Sequence, residues 1–371
     1  MDQQDTAFLA GLAAELVRID SRSRVSNLAL AERLAAELGG FEVEALEYAD
    51  EAGVAKRVLV AHRGGPGGLA LSGHMDTVPE TGWTEDPFSG RIDAAGVLHG
   101  LGSADMKGPI AACVAAARGL PAALPITLLL TTDEETTKQG AREILARSML
   151  ARRAAPRGIV VAEPTRLVPL RGHRASITFI AEAEGIQAHS STGQGRNANW
   201  ALIPFLAEMR ALFERVRDDP ALRDPAYDPP FGDFNLVIDN HGAAVNVTVP
   251  RATARIKFRY SARIDPAPIA DAVRAAAARA GVALRELREG KPPELPEDHP
   301  LIRAAAAVSG IAPRTAAFGT DASELSALAP CVVLGPGDIG VAHRPGESVP
   351  LAELARGAAM FARLAEAVAA G

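Results

Sequence analysis

Cysteine is nearly absent: Cys113 and Cys331 are the only two in 371 residues, and each lies inside an apolar segment. That excludes a disulfide scaffold and a Cys-rich zinc site, so any metal must sit on His, Asp and Glu. Basic excess is missing as well. The net charge is −6, the pI is near 5.8 and no Lys/Arg cluster stands out, which argues against a nucleic-acid partner. Long apolar runs are also lacking. No stretch reaches membrane-spanning length, and the start, MDQQDTAFLAGLAAEL, is acidic and soon amphipathic, without a basic leader or cleavable apolar core. The expected location is therefore the cytoplasm, away from any membrane. What the chain has in quantity is apolar residues, 48%, ample for burial, and at 371 residues it exceeds a typical single core, so two domains are expected.

Apolar spacing predicts a helix over 5–18, capped by Asp5 or Thr6, and a second over Asn27–Leu38. Strands at Val58–Val60, Leu69–Leu71, Ile126–Leu130 and Ile159–Val161 then alternate with helices at Gly108–Ala117 and Gly140–Arg152. Such alternation predicts an α/β fold, a mostly parallel sheet with helices on both faces and ligands at the carboxyl ends of its strands. From about Gly172 the texture changes. Ser176–Ile180 and Arg255–Tyr260 alternate with period two, as half-exposed antiparallel strands do, with helices near Asn197–Arg215 and Pro266–Ala280. The expected organisation is a first catalytic part at 1–171, an inserted smaller α+β domain at 172–285 and a second catalytic part at 286–371. Lys291–Glu294 reads as a return linker, Cys331–Leu334 resumes the parallel pattern, and a closing helix follows Pro350.

Polar residues gather where the apolar strands stop. LALSGHMDTVP places His74 and Asp76 two residues apart at the end of a buried run. An imidazole there binds a metal or moves a proton while the carboxylate fixes its tautomer. Asp105 in GLGSADMKG, Asp133-Glu134-Glu135 after ITLLLTT, Glu163 in VVAEPT and His343 in LGPGDIGVAHRPGE follow the same rule. Singly, each has a plainer explanation as a cap, a solvated turn or a surface histidine. Charge decides what the group could hold together. Three carboxylates in a poorly solvated cleft repel unless a cation sits among them. Mixed His and carboxylate donors suit zinc, with cobalt or manganese as alternatives, and a pair of such ions supports hydrolysis. Gly100-x-Gly102 imitates a dinucleotide fingerprint, but its third glycine is missing and Asp105 would repel a pyrophosphate.

GHMDTVP, GLGSADMKG, TTDEE, AEPT and AHRPGE, in this order, resemble the M20 metallopeptidase family, and the likeness spans essentially the whole chain. The resemblance implies two zinc ions, with cobalt as the alternative: Asp105 bridges them, His74 and Glu163 complete one, and Glu135 and His343 the other. It makes Glu134 the general base and Asp76 the partner that orients His74. It further implies that the inserted domain is a lid through which a homodimer forms, with His189 of GIQAHSS stabilising an oxyanion across the dimer. Asn246 in AVNVTVP and Arg259 in KFRYSAR match positions that contact a substrate carboxylate. Asp321 in FGTDASEL either faces a substrate ammonium or caps a helix together with Glu324.

Leu101, Arg174-Ala175 and His241-Gly242 depart from the family pattern without touching a candidate ligand, which leaves the doubt on substrate shape and lid packing. His62, His99, His173 and His299 match no ligand motif and are expected to be structural or surface residues. The expected reaction is amide hydrolysis of a small N-acyl-L-amino acid. The tail LGPGDIGVAHRPGES resembles the branch whose members deacetylate N-acetylornithine or N-acetylcitrulline. Removal of a succinyl group from diaminopimelate, cleavage of di- or tripeptides or of a carboxy-terminal residue, and a noncatalytic binding protein are the alternatives. A desuccinylase should need extra cationic groups, of which the matched motifs show no surplus.

Overall fold

The computed structural model describes residues 3–370. The chain divides into two compact units. The larger runs through Gly172 and resumes as Pro293–Thr315 and from Thr320 onward; the smaller is His173–Pro292 with Ala316–Gly319. The inserted unit thus extends beyond the expected residue 285, because the strand Ala283–Arg288 pairs with Ala175–Glu184 and belongs to the smaller sheet.

The larger unit is built on an eight-stranded sheet. At its centre Ile126–Thr131, Leu69–His74, Gly158–Val161 and Cys331–Val333 lie side by side and parallel. Ala55–Arg63 and Glu42–Ala49 add antiparallel strands on one side, and Leu170–His173 joins antiparallel on the other. Every residue of Leu69–His74, Ile126–Thr131 and Gly158–Val161 is buried, which is why these segments read as continuous apolar runs and not as alternation. Alternate side chains serve opposite faces. Leu69, Leu71, Ile126, Leu128 and Leu130 join one core cluster with Leu16, Ile110 and Phe361 from helices Gln3–Arg18, Lys107–Gly119 and Leu351–Ala370. Val58, Val60, Leu129 and Val161 are buried outside that cluster, and helices Gln139–Arg147 and Met149–Ala154 pack on the strand that carries Val58 and Val60. Gly73 is required by this packing: a Cβ there would stand 2.7 Å from Ile110 Cγ1.

Two local expectations are corrected. The first helix starts at Gln3, so Asp5 and Thr6 lie within it and neither is its cap. The single helix expected over Gly140–Arg152 is two, because Ser148 leaves helical geometry at ψ 116° and accepts the Ala151 amide as a cap. The smaller unit is α+β: an antiparallel sheet in the order Phe234–Asp239, Arg251–Tyr260, Ala175–Glu184 and Ala283–Arg288, with helices Asn199–Asp218 and Ala267–Ala280 packed into its core. Among the described residues no helix is long and apolar enough to cross a membrane.

Candidate metal centre

The parallel strands deliver polar groups at their carboxyl ends. His74 closes Leu69–His74, Asp133 to Glu135 follow Ile126–Thr131, and Glu163 follows Gly158–Val161. Asp105 sits just before the helix Lys107–Gly119, and His343 lies in the loop after Cys331–Val333. All five ligand-type side chains converge. Asp105 stands in the middle: its Oδ1 is 3.0 Å from His74 Nε2 and its Oδ2 3.3 Å from His343 Nε2. Glu163 Oε1 lies 3.9 Å from His74 Nε2, and Glu135 Oε1 lies 2.9 Å from His343 Nε2. Ligand atoms of His74, Asp105 and Glu135 all fall within 4.8 Å of one another.

Electrostatics test whether cations fit. His74, Asp105 and Glu163 are buried. Burial raises the pKa of Glu163 well above the carboxylate range, with the Asp105 charge adding to it, and burial pushes Glu135 up to about 7. Burial alone would also raise Asp105, but the hydrogen bonds from His343 and His74 hold it below its usual value. For His74, burial works against protonation, yet the bonds to Asp105 and Asp76 drive its pKa well up. The hydrogen bonds to Asp105 and Glu135 take His343 to about 10. In the bare protein, protons therefore occupy sites that a cation would take, with opposed imidazoles and carboxylates as a mixed N,O donor set. The residues fit divalent ions.

The supporting contacts refine one expectation. The nearest partner of His74 Nδ1 is the Asp76 main-chain oxygen at 2.9 Å, while the Asp76 carboxylate is 3.6 Å away. That carboxylate instead accepts the Glu134 amide at 3.1 Å, the Glu135 amide at 3.3 Å and the Ser23 hydroxyl at 2.8 Å. Asp76 so ties the strand end bearing His74 to the turn bearing Glu134. The Glu134 carboxyl lies 3.7 Å from Lys138 Nζ, and burial raises its pKa, which suits a group that must accept a proton near neutrality.

Asp321 occupies the N-cap position of Ala322–Leu325, but its side chain caps no amide: it is buried and accepts the Thr131 hydroxyl at 2.5 Å, and Glu324 pairs with Arg142. Its Oδ1 has no partner, and burial with the Glu134 charge lifts its pKa to about 8. One supporting residue went unnoticed in the sequence. Glu347 is 1% exposed and accepts the amides of Gly102 at 3.0 Å, Ala104 at 2.8 Å and Asp105 at 2.9 Å, gripping the loop of the central carboxylate. It lies four residues past His343 in the same motif, but nothing in its spacing announced a bond reaching back 242 residues.

His189, Asn246 and Arg259 belong to the smaller unit. The first two are neighbours: Ser190 donates its amide to Asn246 O at 3.0 Å, and His189 Nδ1 is 2.8 Å from Ser191 Oγ. Arg259 donates to Asp233 at 2.5 Å. The other histidines serve local structure: His62 is buried on Thr127, His99 pairs with Asp93, His173 is buried beside Arg174 O, His241 stands 2.9 Å from the Thr253 hydroxyl, and His299 caps Pro300–Ser309.

A mostly parallel α/β core that gathers histidines and carboxylates at its strand ends defines a metal-dependent hydrolase. The chain belongs to peptidase family M20/M25/M40, whose model matches residues 70–367. It is 33% identical over 373 residues to acetylornithine deacetylase of Myxococcus xanthus, covering 96% of each chain. Its fold is similar to that of the dipeptidase Dug1p from Saccharomyces cerevisiae, with a TM-score of 0.77 at 15% identity, covering 99% of this chain and 98% of that one. It is also similar to a dinuclear metal-binding M20 peptidase of Bacillus subtilis, with a TM-score of 0.65 at 15% identity, covering 100% and 99%.

Proposed function

We propose that the protein hydrolyses the amide of a small N-acyl-L-amino acid, N-acetylornithine or N-acetylcitrulline, at a pair of zinc or cobalt ions. The observation that carries this reading is Asp105, with one oxygen toward His74 and the other toward His343: a carboxylate so placed can serve two ions at once. His74 and Glu163 would hold one ion, Glu135 and His343 the other. Ions bound there would polarise the acyl carbonyl and acidify a water. Glu134, on the turn held by Asp76, takes the proton from the attacking water and returns it to the leaving amine. His189 is assigned to the developing oxyanion, and Asn246 and Arg259 to the substrate carboxylate, in the roles that the family resemblance implies. The acetylornithine deacetylase of Myxococcus xanthus supports the substrate class.

The smaller unit supports a homodimer. Its edge strand Phe234–Asp239 exposes Val237 and Ile238, and the helix Asn199–Asp218 exposes Trp200 at 72% and Ile203 at 49%; a second copy would cover these apolar groups. A cavity of about 400 Å³ in this unit is lined by Arg174, Arg217 and Arg259 against one carboxylate, Asp233, with Phe213 and Phe231 as apolar wall, a lining that suits an anionic group.

Glu134→Gln tests the main reading. The variant should bind both ions and lose nearly all turnover; near-normal activity would remove Glu134 as the base.

A further inference from the structure

Behind the candidate site lies a lysine with no exposure at all. Lys56, in the strand Ala55–Arg63, is 0% exposed. Its ammonium donates to Ser23 O at 2.5 Å and Val25 O at 2.9 Å and pairs with Asp133 Oδ1 at 3.1 Å, with Asp50 Oδ2 further off at 3.9 Å, so two carbonyls and a carboxylate fix its place. The other oxygen of Asp133 accepts the Tyr48 hydroxyl at 2.6 Å, and Tyr48 is the cross-strand partner of Lys56. Asp133 is itself nearly sealed from solvent and adopts a left-handed backbone at φ 61°. Its carbonyl accepts the amides of Thr137 and Lys138 at 3.0 and 2.6 Å. It therefore forms the turn on which Glu134 stands.

Both arms of the lysine lead to the same carboxylate. Through Ser23 it reaches Asp76, which accepts the Ser23 hydroxyl; through Asp133 it reaches the amides of Glu134 and Glu135, which donate to Asp76 from the other side. A buried ammonium is a costly fastener where an apolar side chain would pack as well. What it adds is direction, since an apolar side chain fixes neither loop by geometry.

We propose that Lys56 is a positioning residue: acting through Asp133 and Ser23, it sets the place of the Glu134 carboxylate and of the Asp76 junction between the two loops. This rests on the reading of Glu134 as the base. Neither Lys56 nor Asp133 touches a reacting atom, and their effect is on geometry.

The test uses the whole chain loaded with Co2+. The double variant Lys56→Met/Asp133→Asn removes both charges together, so no unpaired buried ion remains, and asparagine tolerates the left-handed backbone. It should take up the same equivalents of Co2+ and melt several degrees below wild type, because the carbonyls of Ser23 and Val25 lose their donor. Its kcat should fall about 10–100-fold with KM little changed, and the visible absorption of the bound Co2+ should shift. A purely structural strut would lower the melting temperature and leave kcat alone. A folded variant with kcat within about threefold of wild type overturns the proposal. Should the double variant fail to fold, Tyr48→Phe decides: a fall in kcat at constant KM supports the role, and an unchanged kcat overturns it. If the wild-type chain turns over no N-acyl amino acid, the hydrolytic reading fails by itself. The Co2+ spectrum then still decides, a shifted band supporting the role and superimposable bands refuting it.

Discussion

Glu347→Ala removes one side chain and orphans three amides. Burial, with the Asp105 charge second, pushes the Glu347 pKa to about 7 against the bonds from Gly102, Asp105 and Ala104, so at pH 8 the carboxylate is mostly ionised and its bonds are charge-assisted. A buried amide left without a partner costs ~1–3 kcal/mol, and three could reach roughly 9 kcal/mol if all stayed dry. The vacated space admits water to some of them, and the expected loss is about 3–5 kcal/mol. At about 2–4 °C per kcal/mol for a unit of this size, the melting temperature should drop by roughly 6–20 °C. Glu347→Gln, which keeps an acceptor but turns an NH2 toward one amide, should fall between the two. The assay is thermal and urea unfolding of the chelated protein at pH 8, so that bound ions do not mask the loss. Affinity for added Zn2+ should weaken about 10–100-fold as the Asp105 loop loosens. An alanine variant within about 1 kcal/mol of wild type would refute the grip assigned to Glu347.

In the chelated protein, stability should fall as pH rises from 6 to 9. Burial lifts Glu135 and Glu347 to about 7 and Asp321 to about 8, and the Asp105 and Glu135 bonds lift His343 to about 10. Each raised group binds more proton folded than unfolded in that window, so its contribution is lost as pH passes the folded value; Lys107, lowered to about 7 by burial, opposes them alone among the site's neighbours. Zn2+ should flatten the profile and release protons on binding, and a melting temperature that climbs with pH without metal would contradict the assignment. His189→Ala should bind metal normally and lose about 10²–10³ in kcat, checked by initial rates; an unchanged kcat returns His189 to a loop role. Asp321→Asn should alter the preference between ornithine and neutral side chains, measured as kcat/KM ratios, and an unaltered ratio removes Asp321 from the substrate.

The larger unit was legible because burial on both faces writes itself as apolar runs, and His74, Glu135 and Glu163 were legible because each stands at or just past such a run, whereas Asp105 precedes a helix and His343 lies in a loop well past Val333. Leu69–His74 and Ile126–Thr131 show both signals in one stretch. Connections between distant loops left no such mark. Asp76 was expected to orient His74 with its carboxylate; its main-chain oxygen stands nearer to Nδ1, at 2.9 Å against 3.6 Å for the carboxylate, which also accepts from Ser23 and two amides. Lys56 and Glu347 each hold loops far away in the chain, and a charged residue inside an apolar strand or after a histidine motif announces no partner. The Ser148 break was missed because helical periodicity continues across it while one hydroxyl restarts the helix. The arginines that line the smaller unit's cavity come from separate elements and gather only in three dimensions.

The central claim is metal-dependent amide hydrolysis, and amine release tests it most directly. N-acetylornithine, N-acetylcitrulline, N-succinyl-diaminopimelate and several dipeptides would be offered to chelated and to Zn2+- or Co2+-reloaded protein side by side. The account predicts turnover of an acylated amino acid that vanishes on chelation and returns with metal. Turnover that survives chelation, or none on any substrate with two ions bound, would contradict it.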